Sequence, residues 1–538
     1  MAGSLARGCA AAHEAARSGT ETGPGSPRRG RFPCAPGFFA AMLAALSGCA
    51  VQPEPLTPAE TTLRVETDLH RLAARQPLLD GPLTLHGAMA RALLHNPEVH
   101  VQAMEQSLAL RQTEVARLGL LPALTGRYGV ETRSNVQASS SRSVATGLES
   151  LTASTSSDPT RATGNLGVAW QILDFGVSYY SAKQQTDRAL IAHERRRRAV
   201  HEGIAEVRRA WWRAIAAERA LARLEPLLER VRAALADSAR LAASQVQSQV
   251  DALRYQRALL EAVESLERQR RESRLAKIEL ARLTGLPPGV DYKLAVPASP
   301  SEPRSLEISA DELAALALRH RPELREGQLD ERVAVAEVTK AMLRFLPGLE
   351  LRAGAHVDDN SYLVNNDWLS LGAAVTVNLT ELFTRPAAIG AARVGQELAA
   401  ARREAMSMAV LAQLYVALAR FEEARAQHAT ADRIADLELR IVDALQSSTR
   451  FGAVDRLQTI RAEIDALLAQ LTRDLSRAEV EDSFGRIFLA VGADIVPVAS
   501  AQAAVDDVAA AIAATEEAWR RGEVALQPWP AASVRVAE

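Results

Sequence analysis

The residues of this chain best placed to do chemistry come in two copies. Val250-Asp251-x-Leu253-x-x-x-Arg257-Ala258 is matched by Val454-Asp455-x-Leu457-x-x-x-Arg461-Ala462, an offset of 204 (455 − 251). Each copy follows a polar turn, Ser244 to Gln249 and Ser447 to Gly452. An aspartate at a helix start caps backbone N–H groups and meets the positive end of the helix dipole. Repeated with an arginine six residues on, it also suits the rim of an aperture. Both roles hold or screen charge; neither makes or breaks a bond. The sequence has no Gly-x-x-x-x-Gly-Lys-Ser/Thr loop, no His-Glu-x-x-His and no evident nucleophile–base pair. His86, His95 and His100 lie close together but lack cysteine or carboxylate neighbours at metal-ligand spacing. No enzyme activity, metal or cofactor is expected.

Cys49 is the other chemical candidate. All three cysteines, Cys9, Cys34 and Cys49, lie early, so the body has no disulfide framework. Arg28, Arg29 and Arg31 precede an apolar run from Phe38 to Leu46, followed by Leu46-Ser47-Gly48-Cys49-Ala50. A positive flank, a short apolar segment and small residues at the cut form a secretory signal. Leu-Ser-Gly-Cys resembles the bacterial lipoprotein box, whose cysteine is acylated and begins the mature chain. Residues 1–48 then read as signal peptide and 49–82 as a Pro-rich arm with a short helix near Leu63 to Arg75. A net charge of −2 gives no bulk drive toward nucleic acid. No segment has 18 uninterrupted apolar residues, which argues against an inner-membrane helical protein.

The elements that position these residues are duplicated. Leu83 to Pro97 resembles Ile308 to Pro322, and Pro97–Pro322 and Pro122–Pro347 are both 225 apart (322 − 97 and 347 − 122). After Pro122 the period changes from helical to two. Leu124, Gly126, Tyr128 and Val130 alternate with Thr125, Arg127, Gly129 and Glu131. A Ser/Thr-rich excursion over 134–163 leads to a second strand near 165–173. Strands near 349–357 and 368–379 follow the second proline, each again apolar on one face and polar on the other. Their lengths fit the ~9–11 residues of a tilted membrane strand. Long helical stretches, Val177 to Ala243 and Pro386 to Gln446, are returned by Val250 to Leu283 and Val454 to Leu489. Only 4% of the chain is aromatic and 24% is charged, as suits long paired helices. The first repeat spans 83–285, a Pro-rich linker 286–305, the second repeat 306–492 and an Ala-rich tail 493–538 with a helix near Val505 to Arg521. Arg195 to Arg198 read as a solvated helix face, and Trp211-Trp212 as packing between helices.

These features together resemble the TolC-like outer-membrane efflux proteins. The likeness is carried by the cysteine box, the tandem halves, a hairpin in each, the Val-Asp-x-Leu tips and Trp170-Gln-Ile-Leu-Asp-Phe-Gly176 with Asn378-Leu-Thr-Glu-Leu-Phe383. The resemblance implies a mainly α protein with a β-barrel contribution: a homotrimer whose strands close one 12-stranded barrel and whose helices form a periplasmic tunnel. Four strands leave two open edges, which hydrocarbon does not tolerate. Two chains would give eight strands, filled by side chains, and three would give twelve, with room for a pore. Arg127, Glu131, Glu350, Arg352 and His356 would line the lumen, and Tyr128, Trp170 and Trp368 would sit at the lipid interface. The implied partners are a periplasmic adaptor, an inner-membrane pump and outer-membrane lipid, with no nucleic acid. In the family, acidic residues narrow the entrance near the second tip, commonly nine residues after a glycine. Here Gly452 is followed at that distance by Arg461 and at six by Gln458, and the nearest acid is Asp455. An acidic ring is therefore shifted or absent. The competing expectation is a periplasmic coiled-coil scaffold or adaptor lipoprotein without a pore.

Overall fold

Capping residues recur in matched positions along the chain, and in the computed structural model each opens a helix. The structure describes residues 54–74, 79, 81–150, 152–243, 249–287, 289–295, 308–449, 456–495 and 504–524. Two units separate, residues 1–69 and 70–538. Thr57 and Glu60 cap helix α1 (Pro58–Ala74) reciprocally: Glu60 N–H donates to Thr57 Oγ1 at 3.2 Å and Thr57 N–H to the Glu60 carboxylate at 2.9 Å.

In the larger unit Thr84 caps α2 (Leu85–His95) and Asn96 caps α3 (Pro97–Leu118). Their counterparts are α6 (Ala310–His320), opened by a Ser309–Glu312 capping box, and α7 (Pro322–Leu343). The breaks fall at Asn96 and Arg321, both extended, because a residue before proline is disfavoured in the helical region and proline donates no N–H.

The strands are β1 (Ala123–Thr132), β4 (Thr160–Gln171), β5 (Gly348–Asp358) and β6 (Asp367–Thr376), with a two-residue pair β2 (Ala138–Ser139) and β3 (Ser154–Thr155) inside the first excursion. Sheet order is β1-β4-β5-β6, antiparallel throughout, so both repeats contribute one hairpin to a single sheet. The second strand starts five residues before its expected beginning because Thr160 and Arg161 pair with Thr132 and Glu131. It ends at Gln171, where Ile172 opens a helix; the fourth strand likewise ends at Thr376, short of the expected 379.

Helix α4 (Ile172–Ala243) has 72 residues and α8 (Leu379–Thr449) has 71. At ~1.5 Å per residue each is about 110 Å long. They are returned by α5 (Gln249–Leu283) and α9 (Arg456–Val491). Pro226 and Pro386 lie inside the long helices, and each removes one helical hydrogen bond. The main core is a belt around Met89, Trp211, Leu313, Phe421 and Phe488, where α2, α4, α6, α8 and α9 meet. A second cluster, Leu224, Leu228, Leu259, Leu266, Ile460 and Leu467, zips α4, α5 and α9 farther along the hairpins. Each such side chain contributes ~1.5–3 kcal/mol on burial. Trp211 and Trp212 do pack between helices, edge to face at 5.0 Å, with Trp211 Nε1–H donating to Leu83 O.

The duplicated His-x-Pro-Glu sequence has a structural counterpart. After α5, Gly285 (φ +66°) tucks against His95, where a Cβ would stand 3.1 Å from His95 Cβ. After α9, Gly492 (φ +80°) tucks against His320 and Arg321, where a Cβ would stand 2.7 Å from His320 C and O. The residue before each proline caps the returning helix: Asn96 Nδ2 donates to Leu283 O at 3.4 Å, and Arg321 Nη1 donates to Leu489 O at 3.1 Å. Each repeat thus closes by docking its return helix on its own proline kink. Part of the expected linker is ordered into the same belt, since Leu83 bridges in parallel to Leu294 and Tyr292 is buried. The tail forms α10 (Val505–Arg520), which packs on α2 and buries Val508, Ile512 and Trp519, the last stacked on Phe488 at 4.8 Å.

Candidate functional site

Register across the four strands separates the sheet into two chemically different faces. One face carries Thr125, Arg127, Gly129 and Glu131 of β1, opposite Gly167, Asn165, Thr163 and Arg161 of β4. It continues over His356, Arg352 and Glu350 of β5 to Trp368, Ser370 and Gly372 of β6. All five charged or polar residues singled out from the strands, Arg127, Glu131, Glu350, Arg352 and His356, therefore share one face. Arg161 Nη2 donates to Glu131 Oε2 at 3.0 Å across the strands, and Arg352 Nε donates to Glu350 Oε1 at 2.6 Å along one. Arg127 makes no ion pair among the described residues.

His356 organises the outer part of this face. Its Nδ1 lies 2.7 Å from Asn165 Oδ1 and its Nε2 2.7 Å from Ser370 Oγ. A neutral ring satisfies both, with Nδ1–H donating to the amide oxygen and Nε2 accepting from the hydroxyl. The ring stacks on Trp368 at 5.2 Å and 15°. Gly354 makes this possible, since a Cβ there would stand 3.0 Å from His356 Nε2. Trp368, grouped by sequence with Tyr128 and Trp170, is thus separated from them by register: it stands on the polar face, while the other two share the opposite one. The one-residue offset between Trp368 and Leu369 decides this.

The opposite face is apolar and exposed. Leu124, Tyr128, Val130, Leu166, Val357, Leu369, Leu371 and Val375 all lie on it, Leu369 and Leu371 at 85% and 88% of full exposure. Strands β1 and β6 each leave one edge unpaired. Exposed apolar surface of this extent on a sheet with open edges requires another apolar phase or further strands.

At the other end of the long helices the expected tip residues divide. Cys49, Gly452 and Asp455 lie outside the described residues. Asp251 lies in the first turn of α5. Arg257 pairs with Glu261 of the same helix at 2.8 Å, an exposed and locally satisfied pair. Gln458 and Arg461 are exposed near the start of α9, and Glu463 beside them holds Arg230 of α4 at 2.8 Å. Among the described residues no group of histidine, cysteine and carboxylate side chains could hold a metal ion.

A further feature escaped the reading of the sequence. Asp187, Glu194, His201 and Arg208 recur every seven residues along α4, and all four are buried. The first two meet α7, and the other two meet the segments that follow α9. Asp187 pairs with Arg332 of α7, and Glu194 with Arg197 and with Arg325 of α7. His201 Nε2 lies 2.8 Å from Asp494, and Arg208 pairs with Glu516 of α10. Burial pushes the Glu194 carboxyl above the usual carboxylate range against the pull of the two arginines. Asp494 is held below it by the His201 hydrogen bond and Arg197, which outweigh its burial. His86, 3.2 Å from Glu516, is lowered to about 4 by burial, with Arg208 and Arg520 opposing a proton. The heptad spacing was the available signal. The run Arg195 to Arg198, read as a solvated face, is corrected in part: Arg195 stays exposed, while Arg196 and Arg197 are drawn in by the same packing. Arg195 binds Glu326, Arg196 binds Gln106, Arg197 binds Glu194 and Asp494, and Arg198 lies near Glu326.

A two-faced open sheet carried on paired helices of this length is the architecture of a channel protomer. A sequence profile described as outer membrane efflux protein matches residues 88–286 and 313–493. The chain belongs to that family, one of channel proteins rather than enzymes. No curated protein matches by sequence. Among solved structures, the fold is shared with the CmeC outer membrane channel of Campylobacter jejuni at a TM-score of 0.62 and 14% identity, covering 79% of this chain and 89% of that one. A membrane protein from Pseudomonas aeruginosa gives 0.59 and 17%, covering 76% and 92%. The outer membrane protein VceC of Vibrio cholerae gives 0.58 and 14%, covering 76% and 96%.

Proposed function

We propose that this protein is the exit duct of a tripartite efflux or type I secretion system, working as a homotrimer in the outer membrane. Three copies of the sheet supply twelve strands, and pairing β1 of one protomer with β6 of the next removes every open edge. The apolar face then meets lipid, with Trp170 near its helix-side border and Tyr128 midway along β1. Arg127, Glu131, Glu350, Arg352 and His356 line the water-filled lumen. The long helical hairpins continue the duct into the periplasm, where their tips, carrying Asp251, Arg257, Gly452, Asp455, Gln458 and Arg461, meet an adaptor and the inner-membrane pump. The duct is passive, and the pump does the work. Cys49 carries the lipid anchor.

The observation that carries this reading is the sheet: a polar face and an exposed apolar face, with two unpaired edges. Purified protein in a planar lipid bilayer tests it. A heat-resistant trimer with stepwise conductance is the expected result, and a monomer without conductance would refute it. Cys49→Ala is expected to abolish palmitate labelling and leave conductance intact. Retained labelling would remove the anchor from this scheme.

A further inference from the structure

At the strand ends remote from the long helices, two connections of unequal size lie side by side. Residues 133–159 join β1 to β4, and residues 359–366 join β5 to β6. The longer one is exposed over most of its length and forms a narrow hairpin of its own: the β2–β3 pair continues through Ser150 N–H to Ser141 O and an Arg142–Glu149 bridge to a turn at Ser143–Leu148. Its returning stem, by contrast, is tied to the short connection through side chains.

Asn360 is the centre of this tie. Although it sits in a surface turn, it is only 5% exposed. Its Oδ1 accepts the Asp158 N–H at 3.1 Å and its Nδ2 donates to Ser156 O at 3.1 Å. Its own N–H donates to Asp358 Oδ1 at 3.0 Å, and its carbonyl accepts from Leu363 N–H at 3.1 Å. Ser361 adds a second clamp: its N–H and its Oγ–H donate to the two oxygens of the Asp158 carboxylate, at 2.6 and 3.0 Å. Asp359 closes the row by accepting the Ala162 N–H at 2.6 Å. Only an amide satisfies both an N–H and a carbonyl at this position; a carboxylate would face Ser156 O without a proton to offer.

We propose that Asn360 is a positioning residue for the channel's outer mouth, holding the long first-hairpin connection in one fixed orientation through Ser156 and Asp158. This rests on the exit-duct reading, which makes that end of the sheet the mouth. A long, polar, exposed hairpin at a mouth can swing as a unit into the path of the cargo unless something holds its stem. Asn360 and Ser361, supplied by the other repeat, are what holds it.

Single-channel recording in planar bilayers tests the idea. Wild type is expected to give a quiet open level, and Asn360→Ala a several-fold rise in brief partial closures at unchanged full conductance. A second variant joins Gln137 to Ser156 through Gly-Gly, a span kept short because Ala138 and Thr155 are paired neighbours. It is expected to be quiet, and to stay quiet when Asn360→Ala is added. A merely structural role predicts the same disturbance with or without the long connection. Unchanged noise in Asn360→Ala, or noise that persists in the combined variant, would overturn the proposal. If Asn360→Ala fails to assemble, Ser361→Ala, which removes one hydroxyl donor, is read by the same criteria. If wild type itself does not conduct, the duct reading falls. The tie is then judged by amide hydrogen exchange over 133–159: faster exchange in Asn360→Ala upholds it, and unchanged exchange overturns it.

Discussion

Replacing Gly492 with alanine isolates the contact by which the second repeat closes on itself. At φ +80° an L-residue costs ~1–2 kcal/mol through the clash of Cβ with the backbone. The new Cβ would also stand 2.7 Å from His320 C and O and 2.8 Å from Arg321 N, atoms that cannot swing aside. Forcing them apart adds overpacking of ~1–3 kcal/mol. The total is about 2–5 kcal/mol. Two further glycines divide this sum. Gly289 has φ +105° and nothing within 4 Å, so Gly289→Ala carries the conformational cost alone. Gly285 has φ +66° and His95 Cβ at 3.1 Å, so Gly285→Ala falls between. With an unfolding entropy of ~2 cal/mol/K per residue, a chain of this size loses roughly one degree per kcal/mol. Gly492→Ala should therefore melt about 2–5 °C below wild type by helical circular dichroism, and Gly289→Ala about 1–2 °C below. Equal midpoints for the three variants, or Gly289→Ala as the least stable, would refute the account of the docked kinks.

Acid should weaken the helical belt. His86, lowered from 6.5 to about 4 by burial and by Arg208 and Arg520, stays neutral in the folded chain while the unfolded chain takes up a proton below 6.5. Stability is therefore lost as pH falls from 6.5 toward 4, by about 2 kcal/mol after allowance for partial exposure. His86→Gln should flatten that part of a denaturation-versus-pH curve. His95, His193 and His320, lowered mainly by burial, act in the same direction. Glu516→Ala removes the carboxylate from the buried Arg208 guanidinium and should cost ~3–5 kcal/mol, more than Arg208→Met combined with Glu516→Leu; urea titration checks the order. Arg127→Glu should shift the channel toward cation selectivity, measured as a reversal potential in a salt gradient, and an unmoved potential would take Arg127 out of the lumen.

The period of the sequence was sufficient to find the strands and the long helices, because side-chain periodicity and proline punctuation are local properties of the chain. The polar alternation alone placed Arg127 with Glu131, and Glu350, Arg352 and His356 with one another, on single faces. The repeat was legible for the same reason, as paired prolines 225 apart (322 − 97). Fold class and channel character followed from these and from the family likeness.

Tertiary structure decided what depends on partners distant in sequence. That β4 pairs with β5, joining the two repeats in one sheet, is a matter of strand register between segments nearly two hundred residues apart. The side taken by Trp368 follows from its position in that register. The four arginines from Arg195 to Arg198 look alike in sequence, but α3, α7 and the segment after α9 approach α4 from different directions: Arg196 takes the Gln106 amide, Arg197 takes Asp494, and Arg195 and Arg198 share Glu326. The twin glycine closures show the same division. His-x-Pro-Glu is visible as a repeated motif, yet the glycine that docks on it lies 190 residues downstream in the first repeat (285 − 95) and 172 in the second (492 − 320). No fixed spacing reveals that pairing, because it is made by two helices returning to their own starting point over different lengths of chain.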